Sequence, residues 1–331
     1  MSIIAQVNPT LMDLKASWGA TKESAIVEIL ASNNEMLDDM TWVEANDKTG
    51  HKSVIRTGLP RGAWRLLNYG IPAEKAATAN IRDTCGMLES YAEADAKMVA
   101  MAKDPKEYRA NSDYGFIEGM SQTMAETLIY GNTRVTPESF TGLAPRFNDI
   151  ATTTPANARN IINAGGTGNN NTSIWLVLWH PDTVFGIYPE GSKGGLQIKD
   201  LGQNTKEDGG GLMHEVMRTH YSWDAGLVVK DWRAVVRIAN IDVTALSKDA
   251  SAGADLFDLL AQAAELLPLK ASGRVAIYAN RTISAFLRRQ SVKGTNVRIT
   301  TEQQGGKRVT MFDGMPIRRV DAILNTEARV V

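Results

Sequence analysis

A single cysteine, Cys85, stands among 331 residues, so no disulfide can form within the chain and covalent stapling through sulfur is excluded. That usage favours a reducing compartment or indifference to redox state. Charge of one sign is missing too. Lys plus Arg number 36 and Asp plus Glu 37, a net charge of -1, which leaves no bulk field to draw in DNA or RNA. Long apolar runs are also missing. The longest stretch of large apolar residues, Ile174 to Trp179, falls far short of the ~20 residues that span a bilayer. The start, MSIIAQVNPT, lacks the basic and apolar regions of a signal peptide. A chain made and kept in a cytoplasm, with no membrane contact, is the expectation. No repeat of fixed period is visible. An apolar content of 43% is ample for a buried core in one large domain or in two to three smaller ones.

Catalytic chemistry is scarce as well. A phosphate-binding role for Gly165 to Asn171 would need a strand before it and a helix after it, whereas a strand pattern follows and no Gly-Lys-Ser/Thr is present. His214 and His220 are six apart, which is wrong for two ligands on one helix face; as strand residues they share a face, and the plainer reading is an ordinary histidine pair. Ser192, in Glu190-Gly191-Ser192-Lys193-Gly194, is one glycine short of a nucleophile elbow and reads as a turn. Cys85 reads as a small core hydrophobe, and Met120 and Met124 as core filling. No catalytic, cofactor-binding or metal-binding residue is assigned.

What is present is a mixed order of helices and strands. Residues 1 to 40 read as an arm with helical character, and 41 to 69 as two short strands forming a hairpin or long loop, with turns at Asn46 to Gly50 and Gly58 to Gly62. From Pro72 to Pro105, Ile81, Cys85, Leu88, Ala92, Val99 and Ala102 recur at spacings of three, four and seven, which predicts a long amphipathic helix. A second helix is predicted from about Tyr114 to Tyr130, with Asp113 as N-cap and Gly131 past its end. Strands follow at 173 to 179, 183 to 188, 213 to 223 and 225 to 241, the last two joined by a turn at Trp223 to Gly226 into an antiparallel ribbon. Then come a helix at 256 to 267, a strand at 274 to 279, a short helix at 282 to 289, and strands at 308 to 312 and 317 to 324. The glycine-rich stretches 165 to 168 and 209 to 211 read as mobile loop tips. Without regular βα alternation the fold class is α+β.

One segment is unabsorbed. Residues 50 to 70, GHKSVIRTGLPRGAWRLLNYG, carry Lys52, Arg56, Arg61 and Arg65, no acid, and Trp64. An isolated ribbon of two strands is marginal in water, so it must lie on something. Nucleic acid would want more aromatics and a wider positive surface. Arg and Trp are residues that anchor protein interfaces. The intersubunit contact residues are therefore Lys52, Arg56, Arg61, Trp64 and Arg65, with Glu89 and Glu93 on the element that follows.

The succession RTGLPRGAWRLLNYG, ESFTGLAPRFNDI, FGIYPEGSKGGL, WDAGLVVKDWRAVVRIANID, IYANRTISAFL and MFDGMPIRRVDAIL resembles, piecewise from about residue 50 onward, the major capsid proteins of tailed bacteriophages. Among these it is similar to those of short-tailed phages such as the Bordetella phage. The resemblance implies the Hong Kong 97-type capsid fold: an N-terminal arm (1–40), an extended loop (41–75), a peripheral domain with a long spine helix (76–244), an axial domain (245–312), and a return strand of the peripheral domain (313–331). It further implies self-assembly into hexamers and pentamers of a virion head, put together in the host cytoplasm around double-stranded DNA that is contacted only non-specifically. A separate scaffold protein, a portal and a decoration or cement protein are the other implied partners. An encapsulin-type cellular shell, or an enzyme with an unrecognised site, are the alternatives.

Overall fold

The computed structural model describes residues 34–58, 60–151, 156–207, 210–247, 253–268, 273–291, 299–304 and 307–331. The arm expected over 1 to 40 therefore lies outside the described residues except for its end, which forms α1 (Met36–Asp39). After it come β1 (Trp42–Glu44), β2 (Gly50–Gly58), β3 (Ala77–Asp95), α2 (Ala96–Met101) and α3 (Pro105–Tyr130). The middle of the chain is strand-rich, with β4 (Ile161–Asn163), β5 (Asn171–Trp179), β6 (Val184–Tyr188), β7 (Gln197–Glu207), β8 (Met213–Val229) and β9 (Val235–Asp242). The last third adds α4 (Leu256–Leu266), β10 (Arg274–Ala279), α5 (Arg281–Ser291), β11 (Ile299–Gln304), β12 (Lys307–Phe312) and β13 (Met315–Arg319). The class is α+β, as expected.

The described chain divides into two compact units, one comprising Met87–Met124 and Gly195–Asp224, the other drawn from the stretches before, between and after these. The larger unit is built on β5, whose nine residues are all buried. β5 pairs antiparallel with β9 on one side and with β10 on the other, and β10 continues in parallel to β13. The unbroken apolar run is what a strand covered on both faces requires. α4 packs on β9 and α5 on β13. Leu256, Leu260 and Ala263 of α4 and Ile283 and Leu287 of α5 close one core with Ile174, Leu176, Val236, Ile238 and Ile277. Each such large side chain stabilises the fold by roughly 1.5–3 kcal/mol on burial. Asp255 caps α4 by accepting from the amides of Phe257 and Asp258, and Pro268 lies just past its end.

The C-terminal stretch is latched along this unit. Val330 and Asn240 exchange hydrogen bonds at 2.8 and 2.9 Å, the Glu327 amide donates to the Asn171 carbonyl, and the Ile150 amide donates to that of Val331.

Four expectations are corrected. The two strands expected to form a hairpin over 41 to 69 do not pair with each other: β1 pairs in parallel with β6, and β2 pairs with β3. The helix predicted from Pro72 to Pro105 is instead the 19-residue strand β3 followed by the short helix α2. Inward positions on β3 are odd-numbered from Ala79 to Cys85 and even-numbered from Gly86 to Ala94, one phase slip in a period of two. That slip places Ile81, Cys85, Leu88 and Ala92 at spacings of four, three and four, which imitates a helix. Gly86 sits at the slip because a Cβ there would meet the Glu138 carbonyl at 3.0 Å. The long helix is α3, and it starts nine residues before the expected point, capped by Asp104 through the amides of Lys106 and Glu107. Asp113 lies inside it. The turn expected at Trp223 to Gly226 is absent, because β8 runs unbroken for 17 residues. Gly226 is there for close approach: a Cβ would meet the Thr84 carbonyl at 2.8 Å. The antiparallel partners of β8 are β7 and β6.

The first glycine stretch differs from expectation at one residue. Gly166 is buried and its amide donates to the Asn240 carbonyl, so it is packed backbone. Gly209 lies outside the described residues.

Candidate assembly interface

β2 and β3 form an antiparallel ribbon, from Gly50 opposite Thr84 to Gly58 opposite Ala77, with a register shift after Arg56. Its base is pinned. The Asn46 amide side chain both donates to and accepts from the Lys52 backbone at 2.8 Å, closing the turn into β2. Arg82 on β3 reaches Asp47 at 3.1 Å and Thr49 at 2.6 Å. Deeper, the buried Asp83 pairs at 2.8 Å with Arg146, whose guanidinium also donates to the carbonyls of Thr141 and Leu227. The His51 ring packs edge-on against Phe185 with centroids 5.5 Å apart. Burial lowers the pKa of His51 despite the nearby Asp83 carboxylate, so a neutral ring is favoured there.

Beyond this base the chain leaves its own body. Every residue from Pro60 to Lys75 is exposed, and none lies in a helix or strand. Only one turn interrupts it, where the Tyr69 amide donates to the Leu66 carbonyl and Asn68 takes a left-handed φ of 69°. Trp64 is fully open, at 104% of its reference area, and Leu66, Leu67, Tyr69 and Ile71 are exposed with it. Five large apolar side chains held in water on a pinned stalk are a surface awaiting cover. Arg61 and Arg65 flank Trp64 at this tip, Lys52 is exposed on β2, and Arg56 lies at the register shift. The apolar tip residues other than Trp64 had no place in the sequence reading; the signal was a run of large apolars with neither period.

Glu89 and Glu93 sit elsewhere, on β3 in the smaller unit. Glu89 meets His220 at 3.0 Å, and that imidazole stacks on Tyr91 with centroids 4.4 Å apart. Glu93 is taken by Lys206 and, at 2.7 Å, by Arg218. Burial pushes its pKa up, but the hydrogen bonds and charges of Lys206 and Arg218 outweigh this and hold it below the usual glutamate range. A lowered folded-state value means the pairing contributes stability above the unfolded pKa and loses it as pH falls through the folded one. Thermal stability should therefore decline below about pH 4.3, and Glu93→Gln should flatten that acid limb in melts recorded from pH 7 to pH 3. An unchanged limb would remove Glu93 from it.

His214 and His220 both lie on β8, opposite Lys206 and Lys199 of β7. Among the described residues no group of three or more His, Cys, Asp or Glu side chains is placed to hold an ion. Ser192 is in a tight turn, its amide bonded to the Pro189 carbonyl. No described helix is long and apolar enough to cross a membrane.

A family model described as major capsid protein GP7 matches residues 19–331. The chain belongs to that family of major capsid proteins. A cryo-EM structure of bacteriophage Epsilon15 is 37% identical, covering 100% of this chain and 99% of that one, with a TM-score of 0.78. More distant are the capsid of bacteriophage JBD30 (9% identity, 96% and 99% covered, TM-score 0.49) and the SrpI encapsulin of Synechococcus elongatus (12%, 71% and 98%, 0.44). No curated protein matches. The fold is accordingly the Hong Kong 97-type, and this capsid protein is a structural component of a phage shell.

Proposed function

We propose that this capsid protein forms hexamers and pentamers that close into an icosahedral head around double-stranded DNA, and that the segment around Trp64 fastens each subunit to the next. The observation that carries this is the uncovered tip on a pinned ribbon: among the described residues nothing covers Trp64, and another copy is the cover this reading assigns to it. Heterologous contacts of this kind close rings when the rotation fits, and a lattice multiplies modest contacts by avidity. Arg61 and Arg65 frame the contact, Lys52 is exposed on the stalk with Arg56 at its register shift, and Glu89, half exposed beside the Glu93 cluster, lies among the acids available to a neighbour's arginine. The extended-loop role of 41–75 belongs to this proposal, as do the arm over 1–40, the peripheral domain over 76–244 and 313–331, and the axial domain over 245–312. A separate scaffold, a portal and a decoration protein are the partners such a head calls for, with assembly in the host cytoplasm. The near-neutral charge suits a container that must not grip a moving duplex.

Electron microscopy of the expressed protein with its scaffold tests the proposal: closed shells are expected, whereas small oligomers or a cargo-filled compartment would oppose it. Arg61→Glu with Arg65→Glu should leave a soluble, folded chain and block or misdirect shell formation. Normal particles from that variant would refute the docking role.

A further inference from the structure

From the two helices over the larger unit's core we infer a second contact between copies, in which the acidic face of α4 meets the basic face of α5 on the next subunit. This rests on the ring-forming role proposed above. The exposed positions of α4 and its cap are Asp255, Asp258, Gln262, Glu265 and Leu266, without a base among them. Those of α5 are Arg281, Ala285, Arg288 and Arg289, without an acid. Both sets follow helical spacing, so each is one stripe on one face. Asp258 and Glu265 are seven residues apart and so are Arg281 and Arg288, about 10.5 Å along either axis.

The stripes do not satisfy each other within the chain. α4 packs on β9 and α5 on β13, at opposite ends of the run β9-β5-β10-β13. Three strand spacings of ~4.8 Å separate those ends. Among the described residues the Asp258 carboxylate accepts from Gln262 at 2.6 Å, and Arg289 lies over the Phe286 ring at 4.9 Å. Arg281 meets Asp321 at 3.3 Å yet keeps 71% of its side chain exposed. One subunit thus presents acid over β9 and base over β13. Of the occupants that could cover these faces, a second copy alone matches both in sign and spacing, and a head-to-tail contact joins them around a ring. A DNA backbone would answer the arginines and leave the acids unexplained.

The test is a charge exchange. Arg288→Glu with Arg289→Glu reverses the C-terminal end of the basic stripe. Gln262→Arg with Glu265→Arg makes the C-terminal end of the acidic stripe basic while sparing Asp255 and Asp258 at the capping turn. Capsomer formation is followed by analytical ultracentrifugation and particle yield by electron microscopy, with circular dichroism confirming that each chain is folded. Each reversal should raise the concentration for half-assembly about tenfold, and the four substitutions together should restore it to within about threefold of the starting protein. Added salt should weaken both complementary forms. Assembly unaffected by either reversal, or not recovered by the exchange, would overturn the contact. So would Arg288→Glu/Arg289→Glu shells that form normally but lose DNA, which would assign the stripe to nucleic acid. If the unaltered protein forms no capsomer at all, the shell proposal fails and takes this contact with it; if it does while the exchange fails, only the helix contact is lost.

Discussion

Glu327→Ala is expected to cost about 3–5 kcal/mol, because it strands a guanidinium in the core. Arg237 on β9 and Glu327 in the C-terminal stretch are 4% and 5% exposed and pair at 2.8 Å. Both groups make further buried contacts. Arg237 donates to the Phe147 carbonyl at 2.7 Å and to the Ser173 hydroxyl at 3.0 Å, and lies over the Trp175 ring at 4.9 Å. Glu327 accepts from Ser173 and, at 2.5 Å, from the Tyr130 hydroxyl. Burial and the Glu327 charge push the Tyr130 pKa far up, so that hydroxyl stays protonated and remains a donor. Removing the carboxylate leaves the cation buried without a counter-ion and also cuts the side-chain anchor of the C-terminal latch. Against a typical total of ~5–15 kcal/mol this is a large fraction. The midpoint of thermal unfolding should fall by roughly 10 °C, at ~2–4 °C per kcal/mol for a chain of this class. Replacing both partners, Arg237→Met with Glu327→Leu, should recover most of the loss, since the penalty comes from the unpaired charge and a buried pair is itself nearly neutral against apolar packing. A Glu327→Ala protein that melts with the parent would contradict this account.

That network was invisible in the sequence, because Arg237 and Glu327 are 90 residues apart and nothing local marks either as paired. The parts that were legible are those whose cause is local. β10 runs over Arg274–Ala279 as expected, and α4 is bracketed by an aspartate cap and Pro268. β5 announced itself as an apolar run too short for a helix. β3 failed for an identifiable reason: a phase slip at Gly86 turned two correct strand patterns into a false helical one. β8 failed because Asp224 and Gly226 look like turn residues, whereas Gly226 meets a neighbouring backbone that only the tertiary fold brings close. The basic residues and Trp64 of the candidate interface stood out by composition. What would cover them could not, since a covering partner leaves no local trace in the chain.

Trp64→Ala should separate folding from assembly more sharply than any other single change. Among the described residues the indole is wholly exposed, so the substitution should shift the melting midpoint of the unassembled protein by no more than a surface change does, within about 0.5 kcal/mol. At an interface a central tryptophan flanked by arginines belongs to the class whose truncation costs about 2 kcal/mol or more, roughly thirtyfold in a single contact. Every subunit of a shell would repeat that loss, and an avidity built from many weak steps falls steeply when each is weakened. Assembly reactions should therefore yield few or no closed particles at concentrations where the unaltered protein assembles fully, and Trp64→Phe, which keeps an aromatic anchor, should recover part of the yield. The indole itself supplies an independent readout: its emission should move to shorter wavelength as subunits assemble and burial takes it out of water. Equal loss of monomer stability and of assembly would mean that Trp64 packs within its own chain and that the tip is no fastener.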